Sequence, residues 1–228
     1  MDLVTDYKKI CSESTEKLIK YLESIYINTD AKENREFLSQ IDKYYRALAI
    51  WKEALTNKST NTERDKLLDN VLLDYCSMIH NVVIGDIKVL HFLMRNCIES
   101  FVRYITNCLR TKELEKLFSD ASQQYSGNTQ NLMRTYMSQL KQVYKESCLY
   151  VHADTSKIEK NICTLLMLEN SVNGSKKDKI KADFTRINVA MICVLKIKYF
   201  TIFENMKENA KGYLDYVTPF DERIKEQI

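Results

Sequence analysis

The side chains best suited to chemistry in this sequence lie in two helical segments that are far apart in the chain. In the first, Arg95, Glu99 and Arg103 recur every fourth residue, so they share one helix face and can pair along it. In the second, His152 ends a predicted helix, and a new helix begins after the break at 153–155. An imidazole that titrates near neutral pH can transfer protons. The free N–H groups at a helix start favour an anion such as phosphate.

Both features also have a structural interpretation. The charged face around Arg95 is either a solvated edge held by local ion pairs or the lining of a polar site, and residue types alone favour the edge. His152 either serves an anion site or only donates to a backbone carbonyl in its turn. No third ligand accompanies His80 and His91 at a metal-like spacing, so we predict no metal or cofactor and interpret His91 as part of a helix edge.

The segment 84–109 is predicted to be a largely buried helix around which the rest of the chain packs. Its apolar side chains cover about half of the helix circumference, wider than an ordinary surface stripe. They are Val89, Leu90, Leu93, Met94, Cys97, Ile98, Phe101, Val102, Tyr104, Ile105 and Cys108. The polar side chains form one narrow stripe, which we call the seam: Arg95, Asn96, Glu99, Ser100, Arg103, Thr106 and Asn107.

Composition and periodicity predict an all-α protein. The 228 residues include only 4 Gly and 1 Pro, and 45% are hydrophobic. Few helix breakers and long amphipathic stretches indicate a multi-helix bundle of about seven to eight helices with a buried central helix. We predict one domain over 1–228, with a core at about 62–206 and a possible helical extension over 1–58. The net charge of +3 gives no strong electrostatic case for duplex binding.

Several local expectations follow for the other helices. Thr60 and Glu63 have capping-box spacing, and the helix they open should end near 80–81. A short helix is expected over 158–169, and one long central helix over 178–206. The tail after Gly212 is expected to be peripheral. Trp51 is interpreted as a core or interface anchor.

Cysteine usage and the chain's apolar runs indicate a soluble cytoplasmic protein. The seven cysteines are scattered and include no C-x-x-C pair, which is typical of free thiols in a reducing compartment. The N-terminal residues contain no apolar core of a signal peptide. The apolar run 189–203 is interrupted by Lys196 and Lys198 and is too short to span a bilayer, so no membrane partner is expected.

Two stretches resemble the HEPN superfamily of helical bundles, and more narrowly HEPN-like proteins found beside phage and mobile-element genes. They are LMRNCIESFVRYI in the central segment and, further along, VYKESCLYVHADTSK. The matching pieces are an Arg-Asn…Glu…Arg helix and a helix that ends in Tyr-Val-His and a small residue, over 84–168. The resemblance implies a homodimer of helical bundles. In active members, Arg-x(4–6)-His motifs of two copies meet in a cleft and cut RNA without a metal.

The match departs from that motif at its arginine. His152 fits the histidine, but positions 145–147 hold Lys, Glu and Ser. Lys145 keeps a positive charge but cannot give a bidentate phosphate contact. Arg95 or Arg103 can supply the charge if the bundle brings the seam to His152. On the resemblance, catalytic roles fall to His152, Arg95 and Arg103. Binding roles fall to Asn96, Glu99, Tyr144, Lys145 and Tyr150, and Arg95, Glu99, Arg103, Tyr144 and His152 are expected to line one pocket.

Three functions fit these observations. The first is a HEPN-like ribonuclease or RNA-binding protein of phage defence or a toxin–antitoxin pair, with an antitoxin or another defence component as partner. The second is a non-catalytic helical interaction protein with a degenerate HEPN site. The third is a helical regulator or adaptor unrelated to HEPN proteins. The missing arginine favours the second function over catalysis, whereas the retained seam favours a polar site of some kind.

Overall fold

The computed structural model describes residues 3–26, 31–56, 61–109, 113–151 and 174–218. Within these ranges the chain forms helices and no strands, which confirms the all-α prediction. The helices are α1 (Leu3–Ile25), a 3₁₀ helix (Ala31–Asn34), α2 (Arg35–Thr56), α3 (Thr62–Ile84), α4 (Ile87–Thr106), α5 (Leu114–Gln123), α6 (Gly127–Val151), α7 (Gly174–Lys198), α8 (Phe200–Glu204) and α9 (Glu208–Val217). The helix expected over 158–169 lies outside the described residues.

The central helix of the bundle is α4, which packs most extensively against α3 and α6 and also contacts α5 and α7. It is shorter than the predicted segment 84–109, because Gly85 ends α3 in the left-handed conformation (φ 79°). The carboxylate of Asp86 then caps α4 by accepting the Val89 N–H at 3.0 Å. As a result α3 continues past 80–81, where its end was predicted, to Ile84.

The start of α3 also differs from the capping box predicted at Thr60 and Glu63. The side chain of Asn61 accepts the Arg64 N–H at 3.1 Å and so caps the helix. Asparagine is among the best capping residues, because its short side chain reaches the free N–H groups of the first turn. Thr60 itself lies outside the described residues.

The long helix predicted over 178–206 is two helices. It begins earlier, at Gly174, and α7 is interrupted at Tyr199, whose φ of −120° and ψ of 37° are not helical, before α8 begins. The Tyr199 hydroxyl accepts a hydrogen bond from the Arg64 guanidinium of α3, a contact between residues far apart in sequence. The prediction that this region is central is confirmed by a run of fully buried side chains: Ile187, Ala190, Met191, Ile192, Val194 and Leu195.

The C-terminal tail is part of the core as far as Thr218, so the prediction that it is peripheral after Gly212 was wrong for residues 213–218, and residues 219–228 lie outside the described ranges. Leu214 of α9 is fully buried. The ammonium of Lys196, which is 1% exposed, donates to the carbonyls of Leu214 at 3.4 Å and Thr218 at 2.7 Å. It also pairs with the Asp215 carboxylate at 2.8 Å. A buried lysine thus satisfies the last carbonyls of α9 and fixes this helix to α7.

The N-terminal helices share the same core. Trp51 of α2 is fully buried and its ring stacks on Phe203 at 6.1 Å, which confirms it as a core anchor. The Tyr7 hydroxyl of α1 donates to the Asn209 carbonyl of α9 at 3.0 Å. A Cβ on Gly212 would come within 2.7 Å of that hydroxyl, so glycine allows the close approach of α1 to α9.

Among the described residues, the six cysteines are free thiols, as predicted. One described helix, α3, has the length and hydropathy (1.2) required to cross a bilayer, and 33% of that stretch is buried. Core helices of soluble proteins meet the same criterion. Within the bundle α3 packs between α2 and α4, and it carries Asp65, Asp69 and Asp74.

Candidate functional site

The seam follows the outer face of α4, between α3 and α6. Glu99 and Arg103 form its most ordered part, because one carboxylate oxygen of Glu99 accepts hydrogen bonds from two guanidinium nitrogens of Arg103 at 3.1 and 2.9 Å. These side chains are 29% and 13% exposed, so the pair is sheltered from solvent but not sealed. The i, i+4 pairing predicted along the seam is therefore present between Glu99 and Arg103.

Arg95 makes its main contact across the helix interface instead. Its guanidinium lies over the Tyr144 ring of α6, 5.6 Å from the ring centroid. Hydrogen bonding with the Tyr144 side chain is the largest influence on Arg95 and raises the pKa of its guanidinium. Burial raises the pKa of Tyr144, so the phenol stays neutral. Nε of Arg95 is shielded from solvent and has no hydrogen-bond partner among the described residues.

Glu99 connects the two halves of the seam electrostatically. Its carboxylate acts on both Arg95 and Tyr144 in addition to holding Arg103. Arg95, Glu99, Arg103 and Tyr144 therefore form one continuous polar cluster. The structure thus brings together four of the five side chains that were expected to line a single pocket. The fifth, His152, lies outside the described residues.

Asn96 lies on the α3 side of the seam. Its amide donates to the two Asp74 carboxylate oxygens at 3.1 and 3.4 Å, and the Cys97 thiol lies 3.7 Å from the same carboxylate. Burial raises the pKa of Asp74. Because its amide is engaged by α3, Asn96 contributes to helix packing in this structure. Ser100 of the seam is 8% exposed and also belongs to the interior.

Two further residues predicted to bind a ligand are not at the seam. Lys145 turns toward α5 and pairs with Glu115 at 3.1 Å. Tyr150 stacks on His91, with ring centroids 3.8 Å apart and an interplanar angle of 9°. The helical periodicity of α6 explains both placements, since residues 144, 145 and 150 point in three different directions around the helix.

His91 is buried beneath α6, so its interpretation as part of a helix edge was wrong. The imidazole is 2% exposed, and its Nδ1 shares a 3.2 Å hydrogen bond with the fully buried hydroxyl of Ser147. Burial, followed by the positive charge of Lys179, lowers its pKa to about 4. We call His91, Ser147 and Tyr150 the His91 cluster. The sequence signal was available, because His91 precedes Met94, Ile98 and Phe101 on one apolar helix stripe.

Charged side chains of α6 and α7 surround this cluster. Glu146 pairs with Lys179 at 2.9 Å, and the pKa of Glu146 is lowered mainly by that lysine. Asp183 is 2% exposed and lies 3.6 Å from Arg186, and burial raises the pKa of its carboxyl. Across the ranges that the structure describes, no three His, Cys, Asp or Glu side chains are grouped to hold a metal ion.

The chain matches no protein-family model, no curated protein and no solved structure. The seam offers a partly exposed guanidinium held on an aromatic ring, next to a second guanidinium that shares its charge with a carboxylate.

Proposed function

We propose that this chain is a cytoplasmic HEPN-like helical protein that binds RNA through the seam of α4. In this proposal it acts as a metal-free endoribonuclease in phage defence or a toxin–antitoxin-type system, as a homodimer with an antitoxin or another defence component as its partner. The observation that carries the proposal is the placement of Arg95. Its guanidinium is held over the Tyr144 ring, 5.6 Å from the centroid, and the residue is partly exposed to solvent.

Such an arginine suits a phosphodiester. Guanidinium groups present several N–H donors in a fixed plane and bind phosphate oxygens through charge-assisted hydrogen bonds. Tyr144 orients the group before any ligand arrives, so less freedom is lost on binding. Arg103 lies two helical turns further along the same face, where Glu99 partly neutralises it. Arg95 is therefore expected to make the dominant phosphate contact and Arg103 a weaker one.

Cleavage additionally needs groups that move protons. One must take the proton of the 2′-hydroxyl and one must protonate the leaving oxygen, while cations stabilise the charge on phosphorus-bound oxygens. The HEPN resemblance assigns the histidine role to His152. His91 is unsuited to it, because it is 2% exposed and its pKa is lowered to about 4. The proposal therefore separates binding, by Arg95, from proton transfer, by His152.

This separation defines the experiment. RNA binding and RNA cleavage are measured for the wild type, Arg95→Ala, His152→Ala and Arg134→Ala. Arg134 is an exposed arginine on the same helix as Tyr144 and serves as the matched control for loss of a positive charge. Arg95→Ala should weaken binding at least tenfold, whereas His152→Ala should bind normally and fail to cleave. The proposal is abandoned if the wild type does not bind RNA, or if Arg95→Ala and Arg134→Ala behave alike.

A non-catalytic interaction protein with a degenerate HEPN site is the second candidate. It is favoured by the pairing of Lys145 with Glu115, because Lys145 is the one cation in the expected motif spacing and it points away from the seam. This candidate predicts RNA binding that depends on Arg95 and no cleavage at any protein concentration. Cleavage by the wild type that is lost in His152→Ala would exclude it.

A further inference from the structure

A second group of cations lies at the C-terminal end of α4, where α3 meets the break between α7 and α8. Arg64 of α3 donates from Nε to the Tyr104 carbonyl at 3.2 Å and hydrogen bonds to the Tyr199 hydroxyl. Its guanidinium lies 4.3 Å from the centroid of the Tyr104 ring and 5.9 Å from that of Tyr199. Arg64 is thus held in place by one carbonyl and two aromatic rings, with no carboxylate among these contacts.

Lys198 approaches the same aromatic ring. Its ammonium lies 5.9 Å from the Tyr199 centroid, and the lysine is only partly exposed. Burial and, second, the positive charge of Arg64 lower the pKa of Lys198. In the part of the chain that the structure describes, the ion pairs within 4 Å include neither Arg64 nor Lys198. Asp65 lies near Tyr104 and Tyr199 without pairing with either cation.

Two cations gathered on one tyrosine without a bound carboxylate repel each other, and an anion between or beside them would remove that cost. In the seam, by contrast, Glu99 already supplies the compensating charge to Arg103. At the Arg64–Lys198 pair, bound negative charge would therefore relieve a repulsion that no paired carboxylate offsets.

An open cavity of about 760 Å³ lies near this pair, although neither Arg64 nor Lys198 belongs to its lining. It is lined by residues 124–129, between α5 and α6, and by Ile197, which directly precedes Lys198. Tyr125 belongs to the lining and lies close enough to Tyr199 for that residue to affect its pKa, which burial chiefly raises. The cavity has the size usual for small-molecule sites, roughly 300–1,000 Å³.

We propose that the cavity at residues 124–129 and the Arg64–Lys198 pair together bind a small organic phosphate. The phosphate would contact the two cations, and the organic part would occupy the cavity against Tyr125. A bare phosphate ion would leave most of this volume unfilled. The polar lining can bind hydroxyl groups of a sugar-like moiety through Gln124, Ser126, Asn128 and Thr129. This site is independent of the RNA-binding seam proposed above.

Isothermal titration calorimetry with inorganic phosphate and with ribose 5-phosphate tests the proposal on the full chain. The wild type should bind ribose 5-phosphate more tightly than inorganic phosphate. Lys198→Gln should bind ribose 5-phosphate at least tenfold more weakly, and Lys207→Gln, which removes an exposed lysine elsewhere, should match the wild type. Absence of binding of either compound to the wild type overturns the proposal, and so does unchanged binding to Lys198→Gln.

Unfolding of the variant would not explain a loss of ribose 5-phosphate binding by Lys198→Gln. Lys198→Gln removes a half-buried charge that Arg64 repels, so the variant should unfold at the same temperature as the wild type or higher. Tyr125→Leu should reduce the preference for ribose 5-phosphate over inorganic phosphate. If Lys198→Gln instead weakens RNA binding and leaves phosphate binding unchanged, these cations serve RNA and the small-ligand proposal is wrong. If the seam variants leave RNA binding unchanged, the result of the phosphate-binding test is not affected.

Discussion

The seam and the His91 cluster are built from the same two helices and differ in their access to water. His91 and Arg95 are one helical turn apart on α4, and each contacts an aromatic residue of α6. His91 is 2% exposed, whereas Glu99 and Arg103 of the seam are 29% and 13% exposed. An angular offset of a few tens of degrees around the α4 axis therefore places one polar group inside the core and other polar groups where a ligand can reach them.

The difference in burial sets the charge of each group. His91 is held neutral, because enclosing an imidazolium beside Lys179 is costly and the pKa falls to about 4. Arg95 keeps its charge, because the Tyr144 ring and hydroxyl favour the guanidinium and raise its pKa. The buried group is thus expected to act on stability and the seam on binding. Four measurements test this division of roles between the two groups.

The largest expected effect is on the free energy of unfolding when the His91 side chain is removed. His91→Ala should lower the free energy of unfolding by about 3–4 kcal/mol, because it leaves a cavity under Tyr150 and strands the Ser147 hydroxyl. Urea denaturation measures the change. Phe92→Ala, at the neighbouring and exposed position, is the control and should cost less than about 1 kcal/mol. Equal losses for the two variants would remove the distinction between core and surface on this helix.

The second effect is a dependence of stability on pH. Below its ordinary pKa of 6.5, the unfolded histidine binds a proton that folded His91 refuses until about pH 4. The free energy of unfolding should therefore fall as the pH drops from 6.5 to about 4, by about 3 kcal/mol in all. His91→Gln removes this contribution.

The wild-type and His91→Gln curves must be compared at each pH, because two carboxyls act in the opposite sense. Burial raises the pKa values of Asp74 and Asp183, so their protonation stabilises the folded state as the pH falls. Denaturation curves for both proteins between pH 7 and pH 4 isolate the imidazole. Parallel curves would mean that His91 is protonated in the folded state.

A smaller effect is expected for the contact between Arg95 and Tyr144. A double-mutant cycle with Arg95→Ala and Tyr144→Leu should give a coupling free energy of about 0.5–1 kcal/mol, the range for a partly exposed cation over an aromatic ring. Both single variants should remain folded and change RNA affinity more than stability. A coupling of zero would show that Tyr144 does not position the guanidinium.

The smallest change in stability is expected for Glu99→Gln, which frees Arg103 from its carboxylate at a cost of about 0.5 kcal/mol. RNA affinity should rise. The slope of the logarithm of the binding constant against the logarithm of salt concentration should also steepen by up to about 0.7, the value for one added contact to a phosphate of single-stranded RNA. Glu63→Gln, which frees Lys66 on α3, is the matched control. Weaker RNA binding by Glu99→Gln would show that Arg103 needs Glu99 to hold its position.

Much of the helical framework could be predicted from periodicity. The central position of α4, the core role of Trp51 and the buried middle of α7 follow from where apolar residues recur along the chain. Helix ends were predicted less well. Gly85 and Asp86 end one helix and cap the next within a predicted helix, and α7 is interrupted at Tyr199, whose hydroxyl accepts a hydrogen bond from Arg64. The pairing of Glu99 with Arg103 was predictable, because i, i+4 neighbours meet in any helix.

Local spacing along the chain is enough to predict which stretches are mainly helical, which helix is central and which charged side chains share a helix face. The packing of the helices against one another sets what each polar side chain touches. It placed Tyr144 against Arg95, enclosed His91, turned Lys145 toward α5 and gathered Arg64 and Lys198 on Tyr199. Those outcomes depend on how helices are rotated and stacked against one another, and one residue's spacing along its own helix does not contain that information.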